Sequence, residues 1–171
     1  MTVVVDTNVP VVANGHSEQA SPDCVVACAR RLEALTRSGK LALDDKWLII
    51  GEYRANLRSS GQPGVGDAFL KWVLTNWGNS QRCEIVKITL VNSSETEFRE
   101  FPKDKRLRAF DPSDRKFVAV ALAHPNRPPI LQAVDWKWWG FRKVLHSNGV
   151  DVEFLCEEDY QGDAKSESRL C

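Results

Sequence analysis

Apolar residues fall into two kinds of run along this chain. The first kind is continuous and β-branched. Thr2-Val3-Val4-Val5 lacks polar alternation, which predicts a strand buried on both faces of a parallel sheet. Ile130-Leu131-Gln132-Ala133-Val134 predicts another such strand, and Leu41-Ala42-Leu43 a shorter one. Residues 83–91 alternate between apolar and polar and predict a half-buried strand; Val150 to Leu155 predicts the last. The second kind of run recurs at helical spacing. Val25, Val26, Ala29, Leu32 and Leu35 form one face, opened by Ser21 and Pro22 and closed by Gly39. Further helices are predicted from Asp45 to Leu57 and from Asp67 to Trp77, with a turn-rich joint from Gly61 to Gly66 between them. A polar stretch from Asn92 to Ser113 predicts a loop carrying a short helix around Glu95 to Phe101. A helix then runs from Arg115 to His124, opened by Asp114 and ended by the prolines from Pro125 to Pro129. A final helix runs from Trp139 to His146 and stops at Asn148-Gly149.

Strands alternating with helices predict an α/β fold, a three-layer α/β/α unit with a mainly parallel central sheet. Composition turns polar after Cys156. The domain is therefore expected over 1–156, with 157–171 a polar, mobile tail. No internal repeat and no second domain is visible.

Composition narrows the classes. The 171 residues are 43% apolar and 27% charged, ordinary for a globular domain large enough to bury its own core. No apolar run approaches the roughly 18 residues of a membrane span. Met1 to Asp6 has no basic leader region, so a cytoplasmic protein is expected. Lys plus Arg and Asp plus Glu each number 23, which argues against nucleic-acid binding through bulk positive charge. The balance is uneven, however. Residues 157–171 hold five acids and two bases, which leaves the domain at +3. Five cysteines, an odd number, in an expected cytoplasmic chain predict no disulfide framework. Cys24 and Cys28, four apart in a helical pattern, are expected to pack as small apolar residues rather than bind a metal.

The candidate chemistry lies in carboxylates. Ligands gather at the carboxyl ends of strands in open α/β sheets. Two predicted strands end directly in an aspartate, Asp6 and Asp135. Glu52 lies in the apolar stretch Leu48-Ile49-Ile50-Gly51-Glu52-Tyr53, and Asp114 opens a helix, where a carboxylate can equally serve as a cap. Anions converging in one crevice repel each other, and hard cations such as Mg²⁺ or Mn²⁺ relieve that repulsion through oxygen ligands. Metals held in this way activate water for attack at phosphorus. A metal-dependent phosphodiester-cleaving site is the expectation.

The segments Val3-Val4-Val5-Asp6-Thr7-Asn8-Val9, Gly51-Glu52-Tyr53, Phe110-Asp111-Pro112-Ser113-Asp114-Arg115-Lys116-Phe117 and Ile130-Leu131-Gln132-Ala133-Val134-Asp135 together resemble the PIN-domain nucleases, in the right order over about residues 1–156. The family includes toxins of bacterial toxin–antitoxin pairs. The resemblance implies an endoribonuclease that hydrolyses RNA through water activated by Mg²⁺ or Mn²⁺. It implies that Asp6, Glu52, Asp114 and Asp135 are catalytic and hold the metal, with Thr7 or Asn8 (Asn8 the stronger candidate) steadying the site. Asp111 can replace Asp114, since three residues separate them. It also implies a small antitoxin protein as a partner, and a homodimer. The chain departs from the family pattern at Gln132-Ala133-Val134-Asp135, which has no hydroxyl residue before the acid, and at Asp135-Trp136-Lys137-Trp138-Trp139, which lacks a second acid.

RNA must also be held. Lys103, Lys105, Arg106 and Arg108, with Arg115 and Lys116, flank Asp114 in sequence and are candidates for phosphate contact. One of Trp136, Trp138 and Trp139 is a candidate for base stacking, and the others for packing. A phosphatase of the haloacid dehalogenase type would need an acid at position 8, where this chain has Asn8. Gly-x-Ser-x-Gly and phosphate-loop motifs are absent. The non-enzymatic alternative is a degenerate PIN fold that binds RNA or protein.

Overall fold

The computed structural model describes residues 1–92 and 94–160. Its elements run β1 (Thr2–Val5), α1 (Asn8–Ala13), α2 (Pro22–Ser38), β2 (Lys40–Asp44), α3 (Leu48–Asn56), α4 (Val65–Asn76), β3 (Cys83–Val86), α5 (Arg115–Ala123), β4 (Ile130–Gln132), α6 (Trp136–Ser147) and β5 (Val152–Phe154). The five strands form one parallel sheet in the order β3-β2-β1-β4-β5. Val3, Val4 and Val5 and then Leu41, Ala42 and Leu43 are all buried, so side chains on both faces of the central strands are covered. Helices α1, α2 and α4 pack against one another, while α5 lies against β1, β2 and β4. The fold is the expected α/β arrangement with helices enclosing a parallel sheet.

Two departures bear on the site. Helix α1 is not visible in the hydrophobic pattern, because Pro10 reads as a breaker. Pro10 is the third residue of the helix, where the backbone N–H has no intrahelical acceptor to lose. The last residues of α1 bind the start of α4. Asn14 Oδ1 accepts from the Gly66 and Asp67 N–H groups, and Asn14 Nδ2 donates to Asp67 Oδ1 at 2.9 Å. A Cβ on Gly66 would stand 1.9 Å from the Pro10 carbonyl oxygen, so only glycine permits this approach.

The helix expected around Glu95 to Phe101 is absent. Leu90 and Phe98 instead form an antiparallel bridge, with the Arg99 N–H donating to Thr89 O at 2.9 Å. Single turns of 3₁₀ helix follow at Lys105–Leu107 and Pro112–Asp114. Strand β3 stops at Val86 rather than continuing to residue 91. Helix α3 begins at Leu48, three residues later than expected, because the Asp44 carboxylate accepts the N–H groups of Lys46, Leu48 and Ile49 and fixes the turn before it.

The cysteine expectation is corrected. Cys24, in the first turn of α2, is disulfide-bonded to Cys156 after β5, with the two Cα atoms 5.1 Å apart. The partners are 132 residues apart. Their proximity is created by the packing of the sheet's last strand beside α2, which no local spacing reveals. Cys28 and Cys83 are buried and free of disulfide bonds among the described residues.

Residues 157–160, expected to begin a mobile tail, are helical, and Tyr160 is buried. Residues 161–171 lie outside the described ones. No described helix is long and apolar enough to cross a membrane.

Candidate active site

The strand order reverses at β1, which has β2 on one side and β4 on the other. Chain connections leave in opposite directions there, and in open α/β sheets ligands bind at such a reversal, beyond the carboxyl ends of the strands. Asp6 follows β1 directly, and Asp135 follows β4 by three residues. Asn8 ties the two strand ends together. Its N–H donates to Asp6 Oδ1 at 2.8 Å, and its Oδ1 accepts from the Val134 N–H at 2.9 Å. Asn8, the expected supporting residue, thus links the carboxyl ends of β1 and β4. Thr7 does not contribute in this way, since its hydroxyl is buried without a hydrogen-bond partner among the described residues.

Asp6 is 5% exposed. Burial, followed by the nearby charges of Asp114, Glu52 and Asp135, raises its pKa well above the ordinary carboxylate value, against a lowering by the Asn8 N–H. Asp114, Glu52 and Asp135 therefore lie close enough for their charges to act on Asp6. The hydroxyl of Tyr53, on α3, donates to Val5 O at 2.5 Å and holds that helix, with Glu52, over the end of β1.

Asp114 precedes α5 and makes no side-chain cap hydrogen bond, so capping does not account for an acid there. Its Oδ2 instead accepts from Trp138 Nε1 at 3.1 Å. Burial, with Asp111 and Asp135 nearby, raises its pKa to about 6 although Trp138 opposes the shift. Asp111 is engaged elsewhere. It accepts from the Ser113 N–H and hydroxyl and from Lys137 Nζ. Asp135 caps α6 through the Lys137 N–H at 2.8 Å. Its own N–H donates to the Tyr160 hydroxyl at 2.6 Å, and that hydroxyl donates to Ala133 O at 2.8 Å. Tyr160 stacks on Trp139 with ring centres 4.6 Å apart, so a residue expected in the tail braces the β4 end of the crevice.

The basic residues divide. Lys103, Lys105, Arg106 and Arg108 are all exposed, in the segment that leads to Asp114. Arg106 is paired with Asp104 at 2.7 Å. Arg115 and Lys116, expected to reach phosphate, are buried and paired inside the protein. Arg115 binds Glu97, Arg108 O and Phe110 O, and Lys116 binds Glu52 and Ser113 O. The α5 register turns both inward, a point that residue type alone does not disclose. Trp138 is buried and Trp139 half-buried, while Trp136 is 42% exposed.

The acidic oxygens are not gathered tightly. Among the described residues, three ligand-type side chains come mutually within 4.8 Å only at Cys24, Cys28 and Cys156. A single ion could not bind three of the carboxylates directly in this arrangement. Mg²⁺, however, commonly keeps several waters and binds through one or two carboxylates, and the all-oxygen donor set has the chemistry it takes. No family model, curated protein or solved structure matches this chain, so the reading of the crevice rests on its own geometry.

Proposed function

We propose that the chain is a metal-dependent endoribonuclease of PIN type, cleaving RNA phosphodiester bonds at the crevice between β1 and β4. The observation that carries this reading is the burial of Asp6 among Asp114, Glu52 and Asp135 at the sheet's reversal point, with one backbone N–H on its carboxylate among the described residues. Buried anions without compensating donors are costly, and a divalent cation supplies the compensation.

Asp6 and Asp114 would hold Mg²⁺ or Mn²⁺, with Glu52 and Asp135 acting directly or through water. When bound, the cation lowers the pKa of the attacking water and offsets charge developing on the phosphate. The protein's own groups set the stage. Trp138 orients the Asp114 carboxylate. Asn8 fixes the separation of the two strand ends. Lys116 supplies positive charge to Glu52. Lys103, Lys105 and Arg108 on the surface are available to phosphates, and Trp136 offers an exposed ring beside Asp135 for a base. In a toxin–antitoxin role, a small antitoxin would bind the protein. A short DNA-binding protein encoded in the neighbouring reading frame would support that role.

A second reading, a PIN-like binding module without catalysis, is favoured by two features: the Lys116 ammonium already neutralises Glu52, and among the described residues no three carboxylates come mutually within 4.8 Å. Single-stranded RNA incubated with Mn²⁺ separates the two. The nuclease reading expects cleavage that chelation abolishes and that Asp6→Asn and Asp114→Asn both remove. Binding without cleavage at any divalent ion concentration would leave the binding module.

A further inference from the structure

The Cys24–Cys156 disulfide joins two sulfurs of a group of three. Cys28 lies one helical turn beyond Cys24 on the same face of α2, and its Sγ stands 3.9 Å from Cys156 Sγ. All three sulfurs lie within 4.8 Å of one another, and all three residues are buried. Thiolates around a tetrahedral zinc, each about 2.3 Å from the metal, stand about 3.8 Å apart. The Cys28–Cys156 separation already has that value. Asp159, which follows Cys156 by three residues, is not part of this group; its Oδ2 accepts from the Ser21 N–H at 2.9 Å.

We propose that the reduced chain binds a soft divalent cation, Zn²⁺ being the natural occupant, through Cys24, Cys28 and Cys156, with a water completing a tetrahedral set. The site and the disulfide exclude each other because both need Cys24 and Cys156. Passing from one to the other balances simply. A dithiol gives two electrons and two protons to the disulfide and itself closes to a disulfide; a phosphine gives two electrons, with water supplying the two protons and the oxygen of the phosphine oxide. Zn²⁺ then displaces the thiol protons to solvent. A disulfide oxidant reverses the step and releases the ion. Either cross-link ties the end of β5 to α2 and so keeps Tyr160 at Ala133 and Asp135. The chemistry differs from that of the acidic crevice, since thiolates select zinc-like ions and carboxylates select Mg²⁺ or Mn²⁺.

The probe is Co²⁺ added to the full chain carrying Cys83→Ser and Cys171→Ser, which leaves only the three cysteines of the site. Thiolate-to-cobalt charge-transfer absorption reports sulfur ligands alone and is blind to a metal on carboxylates. Reduced with a phosphine, the protein is expected to show these bands together with the visible spectrum of tetrahedral cobalt, at one ion per chain. Zn²⁺ should bleach both stoichiometrically. The oxidised chain should show neither. Cys28→Ser, which preserves the disulfide pair and so reports its own folding in the oxidised state, should weaken binding by on the order of 100-fold. Absence of charge-transfer bands in the reduced chain, or equal affinity in Cys28→Ser, would overturn the site. Loss of RNA cleavage alone would not affect it.

Discussion

Asp6 and Asp44 occupy matching places in adjacent parallel strands. The register pairs Thr2 with Lys40 and Val3 with Leu41, which brings Asp6 level with Asp44. Both are almost fully buried, at 5% and 2% exposure. Their surroundings differ. Asp44 accepts three backbone N–H groups, from Lys46, Leu48 and Ile49, and serves as the foundation of α3. Asp6 accepts one and otherwise faces three further acids. A buried carboxylate surrounded by donors has a structural role; one surrounded by other carboxylates is, on the function proposed above, a place for a cation.

The largest expected difference follows from replacing each in turn. Asp6→Asn should lower RNA hydrolysis on the order of 10³-fold, the scale of several kcal/mol of lost charge stabilisation. Its thermal midpoint should hold or rise, because one mutually repelling charge is gone. Asp44→Ala should do the reverse. It leaves three backbone N–H groups without their acceptor, that of Ile49 buried, and should cost about 3 kcal/mol in urea unfolding. The rate per folded molecule should not change. If Asp44→Ala abolished hydrolysis in fully folded protein, the contrast would fail.

Asp44 also marks the limit of sequence reading. The strands are legible because a β-branched run without polar alternation fits a strand covered on both faces and little else. Asp6 and Asp135 stand out because each abuts such a run. Asp44 follows Leu41-Ala42-Leu43 in the same manner, yet nothing in the sequence separates it from Asp6; only its hydrogen bonds define its role. Asn14, Asp67 and Tyr160 are invisible for a related reason, since their partners lie 53, 25 and 27 residues away. The Cys24–Cys156 pairing likewise depends on how β5 meets α2. Whether Arg115 and Lys116 face solvent is undecidable from composition, because the inward turn of a helix is fixed by packing.

A smaller effect distinguishes the two kinds of acid by pH. In metal-free protein, burial, then Asp111 and Asp135, put the Asp114 pKa at about 6, above the ordinary 3.8. The folded state therefore holds the proton more tightly than the unfolded one. This contribution to stability is complete below the ordinary value and is lost as pH rises through about 6. Asp67 has the opposite sign. Burial raises its pKa, but the Arg58 N–H, the Asn14 amide and the Gly64 N–H outweigh burial, and the net shift is downward. Its contribution is present above the ordinary value and is lost as pH falls below it. Urea midpoints across this range should decline less towards neutrality in Asp114→Asn, and less on the acid side in Asp67→Asn, than in the original chain.

The smallest expected effect concerns the indole donor on Asp114. Trp138→Phe removes the Nε1–H that donates to this carboxylate. The acid limb of the pH–rate profile should move to higher pH by less than about one unit, with little change in the plateau rate. An unshifted limb would mean that Trp138 serves packing alone.

The most direct measurement is Mn²⁺ binding, followed by the loss of the free-ion paramagnetic resonance signal, in the original chain, Asp6→Asn and Asp44→Asn, each confirmed folded by circular dichroism. One or two ions should bind the original chain and Asp44→Asn alike, and Asp6→Asn should lose at least one. Equal Mn²⁺ binding by Asp6→Asn and the original chain would contradict the assignment of the β1–β4 crevice as the metal site.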